Sequence, residues 1–254
     1  MLLTIDIGNT NINLGLFDGE VLSMSSRFAT ERQKTADQFA IDFLNIFAIY
    51  NVDYNNILGA VISSVVPEIT VHIKNAVEKL IGTNVIVLSP GVKTGLNIMI
   101  DNPAQLGADL AAGAVGAVAE YTLPAFVVDL GTATKIYAID ENRGFRGCTI
   151  APGIAISLGA LTNTSSLLPA ISLEPPKKAC GTNTIESMQS GIVLGTASMI
   201  DGLLDRFAEE LGEPKTIIAT GGLSHFIVPV CKRDMVYDGD LILKGLKAIY
   251  NKNN

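Results

Sequence analysis

The residues best suited to chemistry lie in the first stretch of the chain, LLTIDIGNTNINLGLF, which runs from Leu2 to Phe17. Two short apolar runs flank a turn that begins at Gly8, and this pattern predicts a β-hairpin. Asp6 stands at the mouth of the turn, where its carboxylate could hold a hydrated cation beside a phosphate. Glycine lets a ligand approach the backbone, and the N–H groups of Asn9 to Asn11 can donate to phosphate oxygens. Such a turn also occurs for purely structural reasons, so the interpretation needs a second observation.

The second observation is a repeat of this arrangement in the other half of the chain, AFVVDLGTATKIYAI, from Ala125 to Ile139. Asp129 is followed by a skipped residue, by Gly131 and by the hydroxyl-bearing Thr132 and Thr134. The offset between the two aspartates is close to half of the 254-residue chain. This repetition predicts a duplicated domain with a cleft between the copies, each turn facing the cleft from its own side. Two matched turns favour phosphate binding over a purely structural role.

Length and composition set the outer limits of the interpretation. A chain of 254 residues suits two domains of about 120 residues each, and we place them at residues 1–120 and 121–254. The composition is 48% hydrophobic and 17% charged, which is enough apolar mass for well-buried sheets and helices in an α/β fold. The net charge of −7 argues against nucleic acid as the main partner, because phosphate-backbone binding needs clustered lysines and arginines.

Cysteine usage and hydropathy indicate the compartment. Cys148, Cys180 and Cys231 are odd in number and widely spaced, which favours reduced thiols over a disulfide framework or a zinc site. No basic leader precedes the first strand, and the longest uncharged stretch, Gly147 to Leu173, is interrupted by prolines. We therefore expect a soluble cytoplasmic protein with no membrane partner.

The elements of the first half follow the order β-β-β-α-β-α-β, finished by a helix, which suits a domain with a mixed sheet. Thr35 is placed to cap the first helix, and Pro67 ends a strand and opens the second helix. Helical spacing gives the first helix an aromatic stripe that we assign to the core rather than to a ligand site, made of Phe39, Phe43 and Phe47.

A second concentration of chemistry lies in the middle of the chain. Gly107, Ala108 and Asp109 lead into a helix rich in alanine and glycine, Leu110 to Tyr121. A purely structural explanation exists for an acid in the first turn of a helix, because its negative charge complements the helix dipole. Against that interpretation, the small residues suit very close packing, and the helix precedes the second turn, which would bring Asp109 near the cleft.

The second half continues with a glycine-rich turn and two further helices. Thr184 could cap a long helix from Ile185 to Leu211, and the chain closes with an amphipathic helix from Asp240 to Tyr250. Between these helices, a strand is followed by Gly221 and Gly222. Two such glycines permit a flat ligand such as a purine to lie on bare backbone, but an ordinary strand-to-helix turn explains them equally well.

Taken together, the motifs resemble the type III pantothenate kinases, which belong to the actin-like, sugar-kinase-like superfamily of ATP-binding proteins. The resemblance runs in order along almost the whole chain, and the combination is specific. It rests on the turn from Asp6 to Asn13, GVKTGLNI from Gly91, DNP from Asp101, GAD from Gly107, DLGTAT from Asp129, APGI from Ala151, NTIESMQSG from Asn183 and ATGGL from Ala219.

The resemblance implies a fold of two duplicated actin-like, ribonuclease H-like domains with mixed sheets and an interdomain cleft. It implies a homodimeric enzyme that uses ATP to phosphorylate pantothenate to 4′-phosphopantothenate, the first step of coenzyme A biosynthesis. The expected cofactors are Mg²⁺, held through water by Asp6, and a monovalent cation, K⁺ or NH₄⁺, at Asp129. Asp109 takes the position of the proton acceptor.

The resemblance also assigns residues to the two substrates. The implied ATP and phosphate positions are Asp6, Ile7, Gly8, Asn9, Thr10, Asn11, Ile12, Asn13, Gly131 and Thr132. The implied pantothenate positions are Ile100, Gly107, Ala108, Asp109, Leu110 and Thr184.

The chain departs from the family pattern mainly where the acceptor would bind. Leu110 stands where the family has an arginine, and Ile100 stands where it has a tyrosine. Asn163 to Ser166 occupy a stretch that normally carries arginines, and Thr182 occupies a position that is typically basic. Lys135 replaces a threonine beside the second turn. Most of these changes remove a cation or polar anchor for the pantothenate carboxylate.

Two hypotheses therefore stay open. One is a pantothenate kinase with a rebuilt acceptor pocket, or a kinase for another small alcohol. The other is a non-catalytic or regulatory relative that keeps the fold and binds nucleotide. Retention of Asp6, Asp109 and Asp129 favours the kinase, and loss of the basic anchors favours the binding protein.

Overall fold

The computed structural model describes residues 1–164 and 167–254. The strands are β1 (Leu2–Ile7), β2 (Asn11–Asp18), β3 (Val21–Ala29), β4 (Gly59–Ser64), β5 (Val85–Val87), β6 (Asn97–Ile98), β7 (Ala125–Leu130), β8 (Ala133–Ile139), β9 (Gly144–Pro152), β10 (Thr216–Thr220) and β11 (Val236–Tyr237). The helices are α1 (Ala36–Ile49), α2 (Pro67–Ile81), α3 (Ala108–Glu120), α4 (Ile154–Thr164), α5 (Thr184–Gln189), α6 (Gly195–Leu211), α7 (Ser224–Ile227) and α8 (Leu241–Asn253).

Two compact units divide the described chain. The first unit comprises Met1–Leu96, Asp101–Glu120 and Asp240–Asn254, and the second comprises Asn97–Ile100 and Tyr121–Gly239. The expected domains, 1–120 and 121–254, differ from this division in two places. β6 belongs to the second unit because it pairs with β9, and α8 belongs to the first unit because it packs on α3.

The two units share one strand order, which is the pattern that a duplication produces. The sheet of the first unit has the order β3-β2-β1-β4-β5, and the sheet of the second contains β9-β8-β7-β10-β11, with β6 added beside β9. In the first unit β1, β2 and β3 form antiparallel pairs, and β4 and β5 run parallel to β1. In the second unit β7, β8 and β9 form antiparallel pairs, and β10 and β11 run parallel to β7. Asp6 and Asp129 are the fifth residues of the corresponding strands β1 and β7. The mixed α/β fold predicted from the sequence is confirmed.

Local sequence explains how the elements of the first unit begin. Thr35 caps α1 with a full capping box, in which its side chain accepts from the backbone N–H of Gln38. Pro67 is the first residue of α2, where its missing N–H costs no helical hydrogen bond. The predicted aromatic stripe of α1 lies in the core of the unit, with side chains exposed by 1% or less at Phe39, Phe43 and Phe47.

The alanine- and glycine-rich helix α3 packs on α8 at very short range, as its composition predicts. A side chain at Gly116 would overlap the carbonyl of Leu241, and one at Gly245 would overlap the carbonyl of Ala112. Glycine at both positions therefore permits an approach that any larger residue would prevent. The C-terminal helix completes the core of the unit in which the chain begins.

The capping residue of the long helix in the second unit differs from the one predicted. The side chain of Asn183, rather than Thr184, accepts from the backbone N–H of Glu186, so Thr184 is the first helical residue. The helix also changes form, because a π-helical segment, Ser190–Leu194, separates α5 from α6. Asparagine and threonine both cap helices, and the sequence places them side by side.

The cysteines are free thiols in the described part of the chain. Cys148 and Cys180 are exposed, whereas burial, together with the charge of Asp201, raises the pKa of Cys231 to about 12. Cys231 therefore stays protonated and unreactive near neutral pH. Within residues 1–164 and 167–254, no helix combines the length and apolar character that crossing a membrane requires.

Candidate active site

The first turn places a buried carboxylate at the carboxyl end of three parallel strands. Asp6 is 6% exposed, and its Oδ2 accepts from the Nδ2 of Asn13, its neighbour on β2, at 3.3 Å. On its other side Asp6 is in register with Ser63 of β4. Within the described residues, the buried hydroxyl of Ser63 has no hydrogen-bond partner. The carboxyl ends of parallel strands are where α/β proteins bind ligands.

Hydrogen bonds hold the backbone of this turn in place. The Gly8 N–H donates to the carbonyl of Asn11 at 3.0 Å, and the Thr30 hydroxyl donates to the carbonyl of Gly8 at 2.7 Å. Asn9 and Thr10 are exposed at the tip. The turn is thus anchored on one side by Thr30, which directly follows β3, and its polar residues Asn9 and Thr10 are open to solvent.

Two of the predicted phosphate-binding residues have no side chain available for a ligand. Ile7 and Ile12 are cross-strand neighbours, and both are fully buried in the hydrophobic core of the first unit. Only their backbone groups could contact a phosphate. Asn11 and Asn13 are partly exposed, so their side chains keep that possibility.

One cation beside the first turn was not predicted from the sequence. The guanidinium of Arg32 donates to the Oδ1 of Asn9 at 3.0 Å, and it also lies 3.6 Å from the Glu68 carboxylate. The pairing of β2 with β3 brings this arginine back to the turn, because the Thr30 N–H donates to the carbonyl of Thr10. The sequence places Arg32 just after the third strand of a meander. That position predicts a contact with the turn only once the register of the strands is known.

Asp109 lies in the first turn of α3, as predicted, and its carboxylate is held in one orientation. Its Oδ1 accepts from the backbone N–H of Leu110 at 2.8 Å. A side chain on Gly107 would lie 2.7 Å from that same oxygen, so the glycine provides the space that the carboxylate occupies. The half-buried acid therefore has a defined position.

Helix α3 packs against the sheet of the first unit. Ala111 and Ala112 of its first turns belong to one hydrophobic cluster with Val61 of β4 and with Leu88, which directly follows β5. The structure thus places the base candidate and the acid of the first turn in the same unit.

The second turn carries a largely buried ion pair. Asp129 is in register with Lys135 on β8 and with Thr220 on β10. The Nζ of Lys135 lies 2.7 Å from the Oδ2 of Asp129, and the two side chains are only 14% and 10% exposed. The carboxylate is therefore neutralised by a cation from its own hairpin.

Close packing of glycines fixes the backbone of the second turn. A side chain on Gly153 would overlap the carbonyl of Thr132, and one on Gly221 would lie 2.6 Å from the carbonyl of Leu130. Gly221 also has φ +96°, a conformation that strongly favours glycine. The bare face of Gly221 thus lies against protein backbone, so of the glycine pair considered for a purine only the exposed Gly222 remains open to a ligand.

The remaining turn residues differ in what they can offer. Gly131 is half-buried, and its N–H donates to the carbonyl of Ala133, while Thr132 is exposed at the tip. Thr134 is 2% exposed, and its hydroxyl has no hydrogen-bond partner among the residues that the structure describes.

The predicted acceptor residues are divided between the two units. Gly107, Ala108, Asp109 and Leu110 belong to the first unit, whereas Ile100 and Thr184 belong to the second. Leu110 is only 6% exposed, so an apolar side chain fills a buried place where the family pattern has an arginine.

Three further departures from the family pattern, at Asn163, Thr164 and Thr182, are polar and exposed. The hydroxyl and N–H of Thr182 both donate to the Oε2 of Glu186, so this residue extends the cap of α5. Asn163 and Thr164 end α4 and are exposed, while Ser165 and Ser166 lie outside the described residues.

A divalent metal would have to be bound with few protein ligands. Residues 1–164 and 167–254 contain no group of three or more His, Cys, Asp or Glu side chains that could hold one. Mg²⁺ commonly binds through one or two carboxylates, with waters and substrate phosphates completing its shell. The Asp6 carboxylate, with the unpartnered Ser63 hydroxyl on the neighbouring strand, suits that mode.

A duplicated mixed sheet with an aspartate–glycine hairpin at the start of each copy defines the actin-like and sugar-kinase-like class of ATP-binding folds. Solved structures with this fold include component A of the (R)-2-hydroxyglutaryl-CoA dehydratase of Acidaminococcus fermentans (TM-score 0.59, 14% identity, 98% of this chain and 96% of that one covered). They also include a ROK hexokinase from Thermus thermophilus (TM-score 0.50, 13% identity, 100% and 99% covered).

Within this class, the chain belongs to the type III pantothenate kinase family. The family model for type III pantothenate kinase matches residues 2–206. A type III pantothenate kinase of Halalkalibacterium halodurans is 45% identical over 254 residues, with 100% of both chains covered. Another, from an Exiguobacterium species, is 41% identical over 253 residues, with 100% of this chain and 99% of that one covered. The resemblance seen in the sequence motifs is confirmed.

Proposed function

We propose that this protein transfers the γ-phosphoryl group of ATP to the primary hydroxyl of pantothenate, giving 4′-phosphopantothenate for coenzyme A synthesis. The single observation that carries the proposal is the fixed carboxylate of Asp109 at the start of α3, in a chain that belongs to the type III pantothenate kinase family. A carboxylate held in this way is what a proton acceptor in phosphoryl transfer requires.

The two hairpin turns are the proposed phosphate-binding elements. In the first, the backbone from Gly8 to Asn11 and the exposed side chains of Asn9 and Thr10 donate to phosphate oxygens, and Arg32 adds a positive charge. In the second, Gly131 and Thr132 have the corresponding role. Mg²⁺, which the residues around Asp6 suit, would neutralise phosphate charge when bound.

Asp109 is proposed to orient the acceptor hydroxyl and to take its proton as the oxygen attacks phosphorus in line. Phosphoryl transfer passes through a loose transition state, so the proton leaves late and positioning supplies much of the rate. The Leu110 N–H and the space left by Gly107 provide that positioning. In this role the position of the Asp109 carboxylate matters most.

The buried Leu110 supports the second candidate function, a kinase or nucleotide-binding relative with a different acceptor. An apolar side chain there cannot pair with the pantothenate carboxylate as an arginine would. A screen of small primary alcohols beside pantothenate, each with ATP and Mg²⁺, distinguishes these candidates. Transfer to another alcohol with a higher kcat/KM than to pantothenate would reassign the acceptor.

The decisive variant for the proposed function is Asp109→Asn. We expect kcat with pantothenate to fall by about 10²- to 10⁴-fold, the range for loss of a general base, because the amide keeps the shape but cannot accept the proton. ATP binding, measured by calorimetry with Mg²⁺, should be unchanged. Glu120→Gln, at the exposed far end of the same helix, is the matched control and should behave like the unmodified protein.

Unchanged turnover in Asp109→Asn would remove Asp109 from the mechanism. If the unmodified protein transfers phosphate to none of the tested alcohols but ATP still raises its Tm, the protein is a nucleotide-binding relative and the kinase proposal is wrong.

The resemblance also suggests a cytoplasmic homodimer, and we retain both as parts of the proposal. Light scattering coupled to size-exclusion chromatography gives the mass in solution. A mass of one chain, 26.8 kDa, would contradict the dimer.

A further inference from the structure

The environment of Asp129 does not fit the monovalent cation that the family resemblance implies for it. The Oδ2 of its carboxylate is already paired with the ammonium of Lys135 at 2.7 Å. The pair is largely enclosed, with side chains 10% and 14% exposed. A K⁺ ion at this carboxylate would have to lie close to a like charge in a poorly hydrated place, and that repulsion opposes its binding.

The position of Lys135 is set by the fold and not by a chance surface contact. Asp129 and Lys135 are directly opposite each other on β7 and β8, so the hairpin register forces their side chains onto the same face. Thr220 of β10 flanks the aspartate on its other side and is 2% exposed. A side chain on Gly131 would lie 3.3 Å from the Oδ1 of Asp129, so the second carboxylate oxygen faces the turn itself.

A lysine side chain ends in an alkylammonium group, which is chemically a substituted NH₄⁺ with one positive charge and three N–H donors. Lys135 therefore brings to Asp129 the same charge that a bound K⁺ or NH₄⁺ would bring. It differs in being attached to the chain, so its occupancy does not depend on the salt concentration.

We propose that Lys135 is a built-in replacement for the monovalent cation at the second turn, and that this protein works without added K⁺ or NH₄⁺. The inference deepens the proposed kinase function and rests on it for its catalytic consequence. The binding consequence is independent of catalysis: in the unmodified protein, K⁺ has no site at Asp129.

The test compares Lys135→Thr with Lys135→Arg. Threonine removes the ammonium and leaves space and a hydroxyl oxygen beside Asp129, whereas arginine keeps a positive charge there. Kinase activity and Tm are measured in KCl, NH₄Cl and choline chloride at constant ionic strength. Lys215→Thr, at an exposed lysine of the same unit, is the control for loss of one positive charge.

For the unmodified protein, Lys135→Arg and Lys215→Thr, we expect that the kcat/KM and the Tm of each protein do not change from one salt to another. Lys135→Thr should lose roughly 10²-fold in kcat/KM in choline chloride, the scale for removing one electrostatic stabiliser from a phosphate-bearing site. K⁺ or NH₄⁺ should restore much of that activity and should raise the Tm of this variant alone.

Strong activation of the unmodified protein by K⁺ or NH₄⁺, or a rise in its Tm with these ions but not with choline, would overturn the proposal. So would a Lys135→Thr variant whose activity and Tm are the same in every salt. The Tm measurements need no pantothenate, so they decide the cation question even if the kinase proposal itself fails.

Discussion

At the scale of single residues, Gly107 provides the space for the Asp109 carboxylate. The Oδ1 of Asp109 accepts from the Leu110 N–H and lies only 2.7 Å from where the Cβ of a side chain at residue 107 would be. The role of this glycine is steric rather than conformational, because its φ does not lie in the left-handed region. A single methyl group at this position should therefore test how much of the activity depends on the orientation of the acid.

We expect Gly107→Ala to lower kcat by about 10- to 100-fold, because a displacement of about 1 Å at the reacting group costs up to that much. The KM for ATP should not change, since residue 107 belongs to the proposed acceptor site and not to the proposed phosphate-binding turns. Steady-state kinetics with ATP and pantothenate varied separately gives both values. Gly202→Ala, which meets no atom within 4 Å, is the control, and equal kcat values in the two variants would show that the acid is not sterically held.

The sequence identified the aspartates at the two turns, but only some of the contacts made by the charged residues follow from it. The Asp129–Lys135 pair follows from hairpin register, because residues equally distant from a tight turn face each other. The bond from Leu110 N–H to Asp109 could not be predicted, because an acid in the first turn of a helix can accept from several N–H groups or none. Arg32 was missed for a related reason, since its contact with Asn9 joins residues 23 positions apart.

At the scale of elements, the packing of α3 on α8 determines where Asp109 stands. Both helices present glycine at their contact, and each missing side chain admits a backbone carbonyl of the other helix. An added methyl group would force the helices apart, and helix α3 carries the proposed base in its first turn. Stability and activity should therefore respond together to a change at this contact.

Gly245→Ala places a methyl group against the carbonyl of Ala112 and 2.8 Å from the N–H nitrogen of Gly116. We expect overpacking to cost about 1–3 kcal/mol, which outweighs the gain of less than about 1 kcal/mol in helix propensity. Thermal unfolding should show a Tm lower by roughly 2–4 °C for each kcal/mol lost.

Gly202→Ala makes the same chemical change in helix α6, where the new methyl group meets nothing within 4 Å. Only the propensity gain applies there, so its Tm should rise or stay the same. A Tm for Gly245→Ala at or above that of the unmodified protein would mean that α3 and α8 are not in close contact.

Elements with a strong local signal could be predicted from the sequence, and those set by long-range pairing could not. The hairpins, the capped helix α1 and the proline-initiated helix α2 follow from residue pattern alone. The short strand β6 depends on pairing with β9, some 47 residues further along the chain, and two residues are too few to give a strand pattern of their own. The π-helical segment 190–194 likewise has no pattern of its own that distinguishes it from an ordinary helix.

At the scale of the whole molecule, the chain returns at its end to the unit in which it began. Helix α8 buries Leu241, Leu243, Leu246 and Ile249 in the first unit. The sequence predicted an amphipathic helix here but assigned it to the second domain, because proximity along the chain favours the unit that immediately precedes it. The close fit of Gly245 against α3 places α8 in the first unit, and this contact is visible only in the folded chain.

The first unit should therefore depend on the last helix for its stability. Removing residues 240–254 would expose the apolar surface that four buried side chains cover, at a cost of about 1.5–3 kcal/mol each. The total of roughly 6–12 kcal/mol equals the whole stability of an ordinary domain, about 5–15 kcal/mol. The deletion should thus unfold the first unit rather than merely loosen it.

Hydrogen exchange followed by mass spectrometry locates the effect of this deletion. Peptides from β1, β2 and α3 should exchange rapidly in the shortened chain, while peptides from β7, β8 and α6 keep protection, because their hydrophobic cluster draws no residue from α8. Removal of Asn254 alone, which is exposed, should leave every peptide protected. Retained protection of β1 and α3 without residues 240–254 would show that α8 is dispensable, and equal loss in both sets of peptides would show that its contribution is not confined to the first unit.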